Sequence, residues 1–297
     1  MIFMKMKKNI KRSNMDIKEK ENRIWGAIFG FAIGDSMGAT TEFMTRKQIK
    51  NAYGKVTDLI SGGWLNLKSG EVTDDTQMSM CIMDVIMCGT HFNTFRNSVL
   101  NSFVDWYKSN PKDIGNQCRK AIEYYMKTGN QIPLDDEALG NGGLMRAMPC
   151  AVLDWGDYLL MNQMQNNTTH YNYDSIDYVN RYSRLMKDLL RGNDGCLNIL
   201  SHHNKIKLLA PTGHVYNTFI NSIYWACRGS FEEAIIGAVN HGGDADTIAA
   251  IAGSLAGARY GFNSIPNRWL EKLDRKVYNK LSEYATFVCT HSGLNFF

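Results

Sequence analysis

The chain has 297 residues, 44% hydrophobic and 21% charged, which is enough apolar material for one large core. Its net charge of +4 is misplaced for a nucleic-acid footprint: residues 1–20 hold seven Lys and Arg against Asp16 and Glu19, so the remaining chain is slightly acidic. Seven cysteines, an odd number without a C-x-x-C pair, argue against a disulfide framework and point to a reducing, cytoplasmic setting.

In chain order, residues 1–22 read as a basic N-terminal extension. They lack an apolar run of signal-peptide length, and their charge suits a solvated terminus or a docking arm for an acidic partner. Helical periodicity then marks 22–34, 73–88, 94–108, 113–127, 142–154, 174–191, 214–227, 230–239, 246–260 and 267–285. The apolar run Ile24–Gly34 is 11 residues long, against about 20 for a membrane span, so no membrane segment is expected. The stretch NQMQNNTTHYNY, Asn162–Tyr173, reads as a polar loop, and Pro149 should distort its segment. Alternating runs of Val, Ile and Thr are almost absent, which argues against a sheet. With no linker or repeat, 23–297 is expected to be one compact all-α domain.

Two segments carry a further pattern. Gly26, Gly30, Gly34 and Gly38 are spaced by four, as are Ala249, Gly253, Gly257 and Gly261. On a helix this makes a ridge without side chains, against which another backbone can pack closely. A membrane reading of this spacing fails on length and on Asp35.

The chemistry lies in two acidic stretches. EVTDDTQMSM (Glu71–Met80) places Asp74 and Asp75 behind Thr73 at the head of an apolar run, and HGGDADTIAA (His241–Ala250) does the same with Asp244, Asp246 and Thr247. Each alone could be a helix cap with first-turn acids. A cap needs one acid, however, and each site has two. Carboxylates gathered at half-buried helix ends would repel unless a hard divalent cation lay between them, and carboxylate and hydroxyl oxygens suit Mg²⁺, Mn²⁺ or Ca²⁺. No His/Cys spacing resembles a zinc site.

The order of these motifs resembles the ADP-ribosylglycohydrolase family, closest to its dinitrogenase reductase-activating branch. The similarity runs from about Trp25 to Lys276 through GAIFGFAIGDSMGATTEFM, SGGWLNLKSGEVTDDTQMSM, NPKDIGNQCRKAIEYYM, GNGGLMRAMPCAV, TTH and GAVNHGGDADTIAAIAGSLAGARYG. It implies an all-α, orthogonal helical bundle that uses two Mg²⁺ (or Mn²⁺) ions to remove ADP-ribose from arginine on a modified protein.

By position, the resemblance implies that Thr73, Asp74, Asp75, Asp244, Asp246 and Thr247 hold the metals. It places Glu42 beside them and gives Asp113 the acid/base role, with either carboxylate able to act as base. It puts Asn116, the loop Gly140, Asn141, Gly142 and Gly143, and His170 along the substrate cleft. His214 stands where relatives carry an aromatic residue near the nucleotide. Each has a plainer reading as a cap, loop or turn residue, and Arg146 fits either a phosphate clamp or a buried ion pair.

Three alternatives keep the fold. The chain could reverse or block an ADP-ribosylating toxin as an immunity protein, touching the transferase through residues 1–22. It could act on serine-linked or O-acetyl ADP-ribose, or bind without catalysis.

Overall fold

The computed structural model describes residues 15–197 and 207–291. Its helices run α1 Ile17–Gly38, α2 Arg46–Tyr53, α3 Asp74–Met87, α4 Phe92–Lys108, α5 Asn116–Thr128, α6 Met148–Val152, α7 Tyr158–Asn167 and α8 Tyr173–Leu190. They continue with α9 Val215–Ala226, α10 Phe231–Val239, α11 Ala245–Tyr260, α12 Asn267–Lys272 and α13 Arg275–His291. Among the described residues there is no strand, only isolated bridges such as Gly140 to His214. The all-α expectation therefore holds. All seven cysteines are free, and no described helix is long and apolar enough to cross a membrane.

The two glycine ridges face each other. A Cβ on Gly26 would stand 2.3 Å from the Gly257 carbonyl oxygen, one on Gly30 2.4 Å from that of Gly253, and one on Gly34 2.0 Å from that of Ala249. Gly38 meets Ala245 and Asp246 in the same way. Rising numbers in α1 meet falling numbers in α11, so the pair is antiparallel. Glycine inside a helix costs up to about 1 kcal/mol against alanine. Here the absent side chains let two backbones touch. Both helices are buried over nearly their whole length. Helices α8, α9 and α10 pack on α11, while α13 packs on α1. The antiparallel pairing brings the C-terminal end of α1, with Asp35, to the N-terminal end of α11, with Asp246.

The structure corrects several expected elements. The segment 142–154 is mostly turn; only Met148–Val152 is helical, with Pro149 in its first turn, where a missing N–H costs nothing. The stretch read as a polar loop begins inside α7, Tyr158–Asn167. Its Asn162, Gln165 and Asn166 are buried polar residues paired with partners elsewhere, so the helix is held by amides rather than by an apolar stripe. The segment 267–285 divides into α12 and α13. Leu273 is extended, and the Asp274 carboxylate accepts from the amides of Lys276 and Val277 to start the second helix. Helix α2 was not expected, although its Thr45–Gln48 capping box is complete. Helix α1 begins at Ile17, inside the segment read as an extension; residues 1–14 lie outside the described residues.

Candidate active site

Helix α3 starts in the interior because Asp35 receives it. The Asp35 carboxylate accepts from the Thr73 amide (3.1 Å), the Thr73 hydroxyl (2.8 Å) and the Thr76 amide (3.1 Å). Thr73 in turn caps the helix by accepting from the Asp75 amide. These bonds point Asp74 and Asp75 out of the first turn, where the helix dipole favours negative charge. Across the site, Thr247 Oγ1 of α11 donates to Asp75 Oδ1 at 3.3 Å. The two acidic stretches, separated by about half the chain, therefore meet.

The carboxylates form two overlapping groups. Oxygens of Asp35, Asp75 and Asp246 all lie within 4.8 Å of one another, as do those of Glu42, Asp113 and Asp246. Asp246 belongs to both. Two of its surroundings are telling: Asp75 Oδ2 and Asp246 Oδ1 are buried and have no hydrogen-bond partner. Such a group costs several kcal/mol unless something positive completes it. The donors are all oxygen, the set preferred by hard divalent cations. The residues present thus fit such ions.

Burial pushes every one of these acids upward. Asp35 and Asp244 rise to about 6, and Glu42 and Asp74 to about 8, with neighbouring carboxylates adding to the rise of Asp244, Glu42 and Asp74. Asp75 and Asp246 rise well above the usual carboxylate range from burial and from repulsion by neighbouring carboxylates, Asp246 first for Asp75 and Glu42 first for Asp246. Half-buried Asp113 rises for the same first reason.

A cleft of about 250 Å³ opens over the cluster, lined by Glu42, Asp74, Asp75, Asp113, Asp244, Asp246 and Thr247. Asn116, Gly140, Asn141, Gly142 and His170 line it as well. The other expected site residues stand apart. Thr73 is buried beneath the cluster as a cap. Gly143 faces Asn166, whose side chain would lie 1.8 Å from an added Cβ. His214 caps α9, where its Nδ1 accepts from the Tyr216 amide, and it does not line the cleft.

Some of the lining residues are also supports. Asn141 Nδ2 donates to Asp244 Oδ2 (2.6 Å) and Thr218 Oγ1 (3.0 Å), so it orients an acid. The His170 ring packs beneath Gly140 and Gly142, its Nδ1 is bonded to Thr169 Oγ1, and burial holds it neutral down to about 3. Arg146 is neither clamp nor ion pair. It is fully buried, donates to Gln165, Thr168 and Thr169, and lies over the Phe103 ring at 4.8 Å.

Asp35 is the residue that pattern reading passed over. Its signal was there: one acid within a buried glycine ridge. The Trp64 indole, which donates to Glu42 Oε2 at 2.5 Å, gave no comparable signal.

The family model described as ADP-ribosylglycohydrolase matches residues 16–292. The chain is 34% identical to an ADP-ribosyl-(dinitrogen reductase) glycohydrolase of Rhodospirillum rubrum, covering 92% of this chain and 98% of that one. It is 30% identical to an ADP-ribosylarginine hydrolase, Tri1, of Pseudomonas putida, covering 85% and 74%. A solved structure titled ADP-ribosylglycohydrolase-related protein complex superposes with a TM-score of 0.78 at 29% identity, covering 93% of this chain and 99% of the other.

Proposed function

The chain belongs to the ADP-ribosylglycohydrolase family, and from that premise we propose that it hydrolyses the N-glycosidic bond between ADP-ribose and an arginine of a target protein. The names of the R. rubrum and P. putida relatives support the choice of arginine. The observation that carries the reading is the pair of carboxylate groups sharing Asp246, with two buried oxygens left unpartnered.

Asp74, Asp75, Asp244, Asp246 and Thr247 are the proposed ligands of two Mg²⁺ or Mn²⁺ ions, with Thr73 and Asp35 fixing the first turn that presents Asp74 and Asp75. When bound, such ions supply the positive charge that holds a sugar diol and lowers the pKa of water. The remaining work falls to the chain. Water attacks the ribose C1″, the C1″–N bond breaks, and its electron pair passes to the guanidine nitrogen. Asp113 takes the proton from the attacking water and returns it to the leaving nitrogen. Asp113 is better suited than Glu42, because it lies half-buried at the cleft with no side-chain donor bonded to it in the structure, whereas Glu42 is held by Trp64. Positive charge grows on the sugar in such a transition state, and the surrounding carboxylates favour it. Gly140 and Gly142 let a diphosphate approach backbone closely.

The test offers purified protein an arginine-linked ADP-ribosyl peptide with Mn²⁺ and follows free ADP-ribose. Release is expected, and Asp244→Ala and Asp246→Ala should each lower it at least 10³-fold with helicity retained, an order set by the loss of one essential interaction or more. Full activity in EDTA-treated, metal-free solution would falsify the metal-assisted reading. Release from a serine-linked peptide alone would replace arginine by serine.

A further inference from the structure

Two large aromatic side chains stand exposed at the lip of the cleft. Phe43 is 66% exposed and Trp64 53% exposed. Single exposed apolar residues are ordinary on protein surfaces. These two are not single: their ring centroids lie 5.4 Å apart, and Phe43 lines the cleft beside Glu42. Trp64 is tied to the same Glu42 through its indole N–H.

Both are held in place by backbone. Phe43 has φ of 60°, in the left-handed region that a bulky residue adopts only at a cost. Its amide donates to the Gly243 carbonyl at 2.7 Å, and the Gly243 amide returns a bond to the Met44 carbonyl at 2.9 Å. This clasp joins the loop after α1 to the loop before α11 and turns the phenyl ring outward. Trp64 sits on a tight turn closed by reciprocal bonds between Gly62 and Leu67, and Gly63 rests against the Ala39 carbonyl. The chain thus bears backbone strain and exposes apolar area to present two rings over an acidic cleft.

We propose that Phe43 and Trp64 form a platform that binds the guanidinium of the arginine carrying the ADP-ribose. The inference rests on the arginine-hydrolase reading and names its specificity element. The face of an aromatic ring attracts a cation, and a guanidinium, planar and weakly hydrated, stacks there readily. The carboxylates lining the cleft add charge complementarity. The guanidinium is positive in substrate and product, and the proton that Asp113 returns to the leaving nitrogen keeps it charged as the C1″–N electron pair arrives, so the platform holds substrate and transition state alike and acts on KM rather than kcat. A citrulline side chain has the same shape without the charge and should gain little.

The experiment measures inhibition of arginine-linked ADP-ribose release by two short peptides, one with arginine and one with citrulline at the same position. The wild-type protein should prefer the arginine peptide by about tenfold, the scale of a partly desolvated cation–π contact with nearby acids. In Phe43→Leu that preference should fall to about threefold, and KM for the linked substrate should rise with kcat little altered. Phe43→Tyr should restore both. An unchanged preference in Phe43→Leu, or equal weakening of both peptides, would overturn the platform. A wild-type protein that releases nothing from the arginine-linked substrate would instead overturn the activity on which the platform rests.

Discussion

Asp246 concentrates the conflict in the site. It is 3% exposed, shares oxygens with both carboxylate groups, and keeps one oxygen unpartnered. On folding at neutral pH, Asp246 must either take up a proton or keep its charge among like charges, and an amide avoids both costs. Asp246→Asn should therefore raise the melting temperature of EDTA-treated protein by about 2–3 °C, for about 1 kcal/mol relieved. The same variant should lose most of the stabilisation that Mn²⁺ gives the wild type. Calorimetry with and without metal reads both, and a uniform loss of stability would reduce Asp246 to an ordinary packed residue. His170 gives a second residue-scale outcome. Burial lowers its folded value to about 3, against an ordinary 6.5. A depressed folded value means that its stability is present above pH 6.5 and drains as pH falls toward 3. Between pH 7 and 5 the wild type should lose roughly 2 kcal/mol through this group. Denaturant unfolding of His170→Gln, compared with wild type at the two pH values, should show that much less slope.

At the level of elements, the α1–α11 contact is the least tolerant part of the fold. A Cβ on Gly34 would lie 2.0 Å from a backbone oxygen of Ala249, and backbone cannot step aside as a side chain can. Gly34→Ala should cost about 3 kcal/mol or prevent folding. Gly115→Ala is the control: nothing lies within 4 Å of its Cβ, and its φ of −59° suits alanine, so unfolding should shift by about 0.5 kcal/mol at most. The two ridges were legible from the spacing of glycines, although not that they would pack on each other, and α3, α4, α8, α9 and α10 were legible from their apolar periods. Helix α7 was not legible, because Asn162, Gln165 and Asn166 are buried by amide bonds to Ala147, Gly143, Ser183 and His170, which no hydropathy pattern records. The break between α12 and α13 depends on Asp274, whose amide is drawn to the Gly70 carbonyl far along the chain. In the site, paired acids announced the cluster and its need for a counter-charge. Asp35 stayed hidden because a lone acid has many explanations, and only the antiparallel packing of α1 shows which one holds.

At the scale of the molecule, the proposed metal centre would couple stability to proton and metal together. Folding gathers Asp35, Glu42, Asp74, Asp75, Asp244 and Asp246 and raises all of them, Asp35 and Asp244 to about 6, and Glu42 and Asp74 to about 8. A carboxyl raised on folding binds its proton more tightly in the native state. Its contribution is therefore full below the unfolded value, near pH 4, and is lost as pH climbs through the folded value. Metal-free protein should accordingly become less stable between pH 5 and 8, because six raised carboxyls outweigh the opposite trend that His170 alone sets between pH 5 and 7. Divalent cations bind the deprotonated carboxylates, so their affinity should rise across the same interval. At a free concentration 100 times the dissociation constant, bound metal adds about 2.7 kcal/mol. Thermal scans should then show a downward slope from pH 5 to 8 in EDTA and a flat or rising one in excess Mn²⁺. Parallel slopes in the two conditions would mean that these acids titrate without reference to any ion.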